Sequence, residues 1–191
     1  MMQNDYTWLF PYSEYISNKI VLELGASIGI DTYIINGFAS EIYVIEKDEY
    51  SLEILKQKIP NAKIICGDFR DVLPVFDKKI NTVIASLSLH YFSNIETKQI
   101  ISNLYNILED TGTLIVRVNS SNDVNYGAVG FPKIEEEYFN INGMPKRFFS
   151  NKAIENYFNP NWEIIEIKEK SIDRYTNEKI IWEFIAKKKI N

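Results

Sequence analysis

The chain has 191 residues, which at about 150 residues per domain suits one domain with a full core of its own. Apolar residues make up 46% and charged residues 25%, which excludes a disordered chain, a collagen and a coiled coil. One cysteine and one histidine argue against a disulfide framework and a thiolate or histidine metal centre, and 21 basic against 26 acidic residues leave a charge of −5 that repels nucleic acid in general.

Residues 1–18 are polar and aromatic by turns, with Tyr6, Trp8, Phe10, Tyr12 and Tyr15. They are expected either to cover a ligand crevice as a lid or to pack on the sheet. This stretch carries Asp5 and Glu14 but no basic n-region, so it does not read as a secretory signal. No run approaches the ~20 apolar residues of a membrane span. The expectation is a cytoplasmic protein, with Cys66 as a free thiol.

The run 20–24 reads as a buried strand that ends in a glycine turn. A helix is expected over 27–36, closed by Gly37. A second strand spans 42–45. Asp48 then caps a helix with Leu52, Leu55 and Ile59 on one face, stopped by Pro60. Residues 62–66 form a third strand, followed by Gly67-Asp68, and 71–75 make a helical turn at best. The fourth strand spans 80–86. A helix over 97–108 carries the stripe Ile100, Ile101, Leu104, Ile107 and Leu108. The turn 109–112 leads into a fifth strand, 113–118. Strands alternating with helices predict an α/β fold with a parallel sheet covered on both faces.

Residues 119–149 show no clear helical period and read as an irregular insertion on the substrate side. Asn142-Gly143 can close a hairpin within it. Ser150 caps a helix holding Ala153, Ile154, Tyr157 and Phe158. Two strands, 162–168 and 179–186, have no helix between them and predict a terminal antiparallel pair. No repeat or linker divides the chain, so residues 1–191 are expected to form one domain.

The sharpest signal is VLELGASIG, which ends the first strand at Gly25 and Gly29. Small residues there let the backbone approach a ligand. A dinucleotide fingerprint needs glycine at 25, 27 and 30, where this chain has Ser27 and Ile30. The Gly-Lys-Ser/Thr of a Walker loop is absent as well. Glu46 ends the second strand, where an acid accepts hydrogen bonds from ribose hydroxyls. Asp68 and Phe69 follow the third strand, where an adenine amino group and ring can be met. Together these three loops point to an adenosine-containing ligand.

The series VLELGASIG, VIEKD, IICGDF, INTVIASLSLHYF and ILEDTGTLIVRV resembles class I S-adenosylmethionine-dependent methyltransferases over residues 18–118. The later RVNSSNDVNYGAVG, KRFFS and RYTNEKIIWEFIAKK resemble small bacterial methyltransferases of the tellurite-resistance and general methyltransferase-domain type. The resemblance implies a Rossmann-like, doubly wound, seven-stranded sheet, mostly parallel with an antiparallel last strand. It implies S-adenosylmethionine as cofactor and S-adenosylhomocysteine as product. Glu23, Gly25, Ala26, Ser27 and Gly29 would hold the methionyl part. Glu46, with Lys47 in the same cofactor set, would hold the ribose, and Asp68 and Phe69 the adenine. Ser86, Leu87 and His90 would border the methyl group and the substrate. The chain departs from the family at Ser27, where a glycine is usual. A serine fits there at negative φ, whereas a positive φ would lower cofactor affinity.

The expected reaction is methyl transfer to a small-molecule acceptor by in-line displacement. The alternative is a catalytically idle S-adenosylmethionine-binding module acting through a partner. A base is needed only if the acceptor must lose a proton. His90, the sole histidine, is the candidate, with Tyr126 and Tyr91 as alternatives. Arg117, Arg147 and Arg174 are possible anion contacts, each weighed against a structural ion pair. No nucleic-acid or membrane partner and no metal is expected, and the chain is expected to act as a monomer or homodimer.

Overall fold

Short runs rich in Ile, Val and Leu form the parallel part of the main sheet in the computed structural model, which describes residues 5–189. They are β1 (Ile20–Leu24), β2 (Glu41–Glu46), β3 (Lys63–Cys66), β4 (Ile80–Ser86) and β5 (Leu108–Asn119). A second, small sheet holds β6 (Lys133–Glu135), β7 (Tyr138–Ile141) and β8 (Met144–Arg147), and the chain closes with β9 (Trp162–Ile172) and β10 (Lys179–Lys188). The helices are α1 (Ser13–Ile16), α2 (Ile30–Asn36), α3 (Glu49–Lys58), α4 (Phe69–Val72), α5 (Asn94–Ile107) and α6 (Asn151–Phe158).

The main sheet has seven strands in the order β3-β2-β1-β4-β5-β10-β9. β1 to β5 pair in parallel, and β10 pairs antiparallel with both β5 and β9. β10 therefore runs against the other six, as the resemblance implied. The chain starts in the middle, winds outward to β3 and returns to β4 beside β1. That reversal opens a crevice at the carboxyl ends of β1 and β4.

Strand alternation sends side chains to both faces, and each face has its own core. Leu22, Leu24, Val83, Ala85, Leu114 and Val116 pack with Ile100, Leu104 and Ile107 of α5 and Phe158 of α6. Val21, Val44, Ile84, Ile115 and Ile185 pack with Ile35 of α2, Leu55 of α3 and the N-terminal Trp8, Leu9 and Ile16. Several helices start where the sequence places a cap. Asp48 accepts the Ser51 N–H at 2.8 Å, and Ser150 accepts that of Ala153 at 3.2 Å. Among the described residues no helix is long and apolar enough to cross a membrane.

Three expectations need correction. The helix expected from residue 27 begins at Ile30, because Ser27 at φ +50° and Gly29 at φ +84° break helical geometry. Gly37 closes it as expected, its N–H donating to the Ile34 carbonyl at 3.0 Å. α5 starts three residues earlier than expected, because Ser93 and Glu96 form a reciprocal capping box. Residues 108–119 form one strand, with the expected turn as a bulge: β5 advances from Leu108 to Thr113 while β4 advances from Ile80 to Thr82.

The irregular reading of 119–149 also changes. This stretch contains the antiparallel sheet β6-β7-β8, whose β7–β8 turn is the expected Asn142-Gly143. Of the expected lid segment, residues 1–4 lie outside the described residues. In the described part, Trp8, Leu9, Tyr12 and Ile16 are buried against the sheet.

Candidate active site

A cleft of about 370 Å³ opens at the carboxyl ends of the parallel strands, within the size range of small-molecule sites. Gly25 follows β1 at φ +72°. A Cβ there would lie 2.9 Å from the Ser88 Cβ, so both backbone and space require glycine. The next wall residue, Ser27, is held in the left-handed region while its backbone N–H donates to Glu46 Oε2 at 2.8 Å. Glu46 Oε1 also accepts from the N–H groups of Lys47 (2.8 Å) and Asp48 (2.9 Å). Three donors thus fix this buried carboxylate, which has about four acceptor positions, so about one remains for a ligand hydroxyl.

Asp68 follows β3, caps α4 and accepts from Arg70 Nε at 3.0 Å and Nη2 at 2.8 Å. Burial raises its pKa, but the Arg70 bonds outweigh this and hold it below the usual carboxylate value. Lys47 stands 3.9 Å from Asp68 across the cleft mouth. Phe69 meets Phe92 edge-on, with ring centres 5.0 Å apart. Ser86 ends β4, and with Leu87 and Ser88 after it completes the lining. The hydroxyls of Ser86 and Ser88 are buried without a hydrogen-bond partner among the described residues. Orphaned donors on a cleft floor suit a polar ligand.

Residues 21–112, just under half of the chain, match the methyltransferase domain family. This stretch supplies β1 to β4 and every loop just described. Over that stretch the chain is similar to methyltransferase domains. An uncharacterized methyltransferase of Oceanobacillus iheyensis is 27% identical over 105 residues, which is 54% of this chain and 49% of the relative. The chain thus spans about half the length of that curated relative. An S-adenosylmethionine-dependent methyltransferase of Methanosarcina mazei shares the fold at a TM-score of 0.79 and 14% identity, over 95% of this chain and 98% of the other. TehB of Haemophilus influenzae shares it at 0.72 and 17% identity, over 95% of this chain and 61% of the other.

Of the residues expected to bind cofactor, Gly25, Ser27, Glu46, Lys47, Asp68, Phe69, Ser86 and Leu87 line the cleft. Glu23, Ala26 and Gly29 do not. The Glu23 carboxylate is buried under the glycine turn and accepts the Thr32 hydroxyl at 2.6 Å. Burial, with the nearby Asp31 charge, pushes its pKa up to about 8 against the pull of Thr32. Ala26 is buried in the core on that face. Gly29 is required by packing, since a Cβ would lie 2.6 Å from Leu55 Cδ2.

Of the three candidate bases, His90 and Tyr126 do not line the cleft. His90 is 3% exposed, and burial holds its pKa well below 6.5, so it is neutral in ordinary buffers. The Tyr126 hydroxyl donates to the Asn177 carbonyl at 3.1 Å. Tyr91 does line the cleft, with its hydroxyl pKa raised by burial.

The arginines separate. Arg117 is fully buried, paired with Asp5 at 2.7 Å and Glu183 at 2.8 Å, and stacked 3.9 Å from the centre of the Trp8 ring. Arg147 is a buried clamp that donates to the carbonyls of Phe92 and Glu136 at 3.2 and 3.0 Å. Arg174 alone of the three lines the cleft, paired with Asp5 at 2.9 Å and Asp31 at 3.6 Å. It arrives with Tyr175 on the β9–β10 connection. Sequence reasoning did not place Ser88, Phe92 or Tyr175 at the site. Their order along the chain carries no spacing signal.

Proposed function

We propose that this methyltransferase domain transfers the methyl group of S-adenosylmethionine to a small-molecule acceptor in this cleft. The observation that carries the reading is the joining of two strand-end loops through Glu46, above a floor with two orphaned serine hydroxyls. The cofactor supplies a methyl group already activated on a sulfonium, so the protein has mainly to position the partners and exclude water.

The chain's residues divide that work. Gly25 and Ser27 bring bare backbone to the cofactor. Glu46 accepts from the ribose, Asp68 from the adenine amino group, and Phe69 lies against the ring. Ser86 and Ser88 offer hydroxyls to the methionyl end. In the displacement, an acceptor lone pair forms the new bond to carbon as the carbon–sulfur bond breaks, releasing S-adenosylhomocysteine. Tyr91 and Asp68 are poor bases at neutral pH, one held protonated and one held as an arginine-bound anion. The cleft therefore suits an acceptor that is already deprotonated or carries a free lone pair.

Incubation with methyl-labelled S-adenosylmethionine and a panel of small acceptors tests the reading. Labelled product is the expected outcome. The second reading, an idle cofactor-binding module, is favoured by Ser27 at φ +50° and by His90 lying off the wall. It requires tight cofactor binding with no transfer to any acceptor.

A further inference from the structure

The connection between β9 and β10 leaves the sheet at the edge beyond β5, yet it reaches back to the cleft and as far as α2. It sets Arg174 and Tyr175 in the cleft wall. Two acids hold Arg174 there. Asp5 lies 2.9 Å from Nε, and Asp31, in the first turn of α2, lies 3.6 Å from Nη2. The Tyr6 ring centre lies 5.6 Å from the guanidinium carbon. Asp31 comes just after the glycine turn, so the guanidinium stands beside the loop that leaves β1.

Neither acid is reserved for Arg174. Asp5 also pairs with Arg117 at 2.7 Å, and Asp31 accepts the Trp8 indole N–H at 3.0 Å. Nor does either contact have hydrogen-bond geometry. Arg174 Nε and Nη2 and both Asp5 oxygens are buried without a hydrogen-bond partner among the described residues. The guanidinium is thus held in place by charge and not locked by directional bonds. The acids make their closest approach at Nε and Nη2, and the side chain keeps 20% of its surface open. Nη1 carries two further N–H donors, which suit a ligand carboxylate through a charge-assisted bond.

We propose that Arg174 is a cofactor-binding residue whose guanidinium takes the carboxylate of the methionyl group. Among the described residues that line the cleft, only Lys47 and Arg174 are cations. Lys47 stands at the Asp68 end, 3.9 Å from that carboxylate, with its side chain 71% exposed. Glu46, Asp68 and Phe69 receive the ribose and adenine at the ends of β2 and β3. The methionyl group therefore runs the other way, past Gly25 toward Ser86 and Ser88. A carboxylate there leaves water for a wall of backbone, hydroxyls and rings, which is costly without a cation. Arg174 is the cation tethered beside that loop. The assignment rests on the methyl-transfer reading. An acceptor carboxylate is the other source of the same chemistry, and the choice of probes separates the two.

Calorimetric titration with two probes tests the assignment. One is S-adenosylhomocysteine, and the other is its decarboxylated form, which keeps the amine and lacks only the carboxylate. Each is titrated into the natural chain and into Arg174→Gln. The natural chain is expected to bind S-adenosylhomocysteine about ten-fold more tightly than the decarboxylated form, as befits one charge-assisted contact. In Arg174→Gln that preference is expected to vanish, with the decarboxylated form bound within about two-fold of its natural affinity. Arg174→Lys keeps the charge that faces Asp5 and Asp31, so it preserves the fold if the glutamine variant does not, and an intermediate preference is expected. Equal binding of the two probes by the natural chain overturns the assignment. Equal weakening of both probes in the variants does so too, since it makes Arg174 a structural clamp. An undiminished preference in both variants also overturns it and turns Arg174 toward an acceptor carboxylate. These three failures leave cofactor binding standing. A folded natural chain that binds neither probe overturns the methyl-transfer reading and the assignment with it.

Discussion

Ser27 holds a strained backbone conformation in the glycine turn. Holding a non-glycine residue at φ +50° costs about 1–2 kcal/mol. The 2.8 Å bond from its N–H to Glu46 offsets part of that cost. Ser27→Gly is therefore expected to raise stability by about 1 kcal/mol and to raise cofactor affinity, as read by urea unfolding and calorimetry. A large loss of affinity would instead assign the hydroxyl to the ligand. Glu23 makes a second prediction at this scale. Its pKa is near 8 in the folded chain and near 4.5 when exposed. The folded state thus holds a proton that the unfolded chain has lost, and stability falls as pH rises through that window. His90 opposes this only below its ordinary value of 6.5, where the unfolded chain takes up a proton that the folded chain refuses. Between pH 6.5 and 8 the Glu23 contribution is expected to fall by about 1.4 kcal/mol per pH unit. Urea midpoints across that range should drop for the natural chain and stay flatter for Glu23→Gln. Equal slopes would mean that Glu23 is already ionised.

Elements with a clear apolar run or a side-chain cap were legible before the fold was known. The five parallel strands, α3 behind Asp48, α6 behind Ser150 and the closing antiparallel pair all announce themselves in this way. The small sheet does not. Its strands are three or four residues long and carry Lys133, Glu135, Lys146 and Arg147, so no alternation develops. The start of α2 was hidden for another reason: only the fold reveals that Ser27 and Gly29 take positive φ. Gly29→Ala tests that geometry. The added methyl would sit 2.6 Å from Leu55 Cδ2 in a left-handed position, for an expected loss of about 1–3 kcal/mol. The effect should appear as a lower melting temperature with near-normal cofactor affinity in the folded fraction. The reverse pattern would place Gly29 in the binding surface.

Across the whole molecule, buried charges tie the N-terminal segment to the far end of the chain. Asp5 pairs with Arg117 of β5 and with Arg174 from the β9–β10 connection. The Tyr12 hydroxyl donates to Glu183 at 2.6 Å, and Arg117 joins Glu183 from the other side. Asp5→Ala leaves two guanidinium groups short of a carboxylate. It is expected to cost about 1–3 kcal/mol in chemical unfolding and to loosen Arg174 at the cleft wall. Such long-range pairing explains what the sequence could not disclose about the site. Gly25, Glu46 and Asp68 sit at strand ends in a recognisable order. Tyr175, and the pairing of Arg174 with Asp5, depend on a chain that closes on itself.

The central claim is that the Glu46-bridged cleft holds S-adenosylmethionine. Calorimetric titration with S-adenosylhomocysteine tests it most directly, run in parallel on the natural chain and on Glu46→Gln. The expected result is stoichiometric binding by the natural chain and affinity about ten-fold weaker in the variant. Both proteins should remain folded by circular dichroism. A folded natural chain that takes up no S-adenosylhomocysteine, or a variant that binds it equally well, would contradict the assignment.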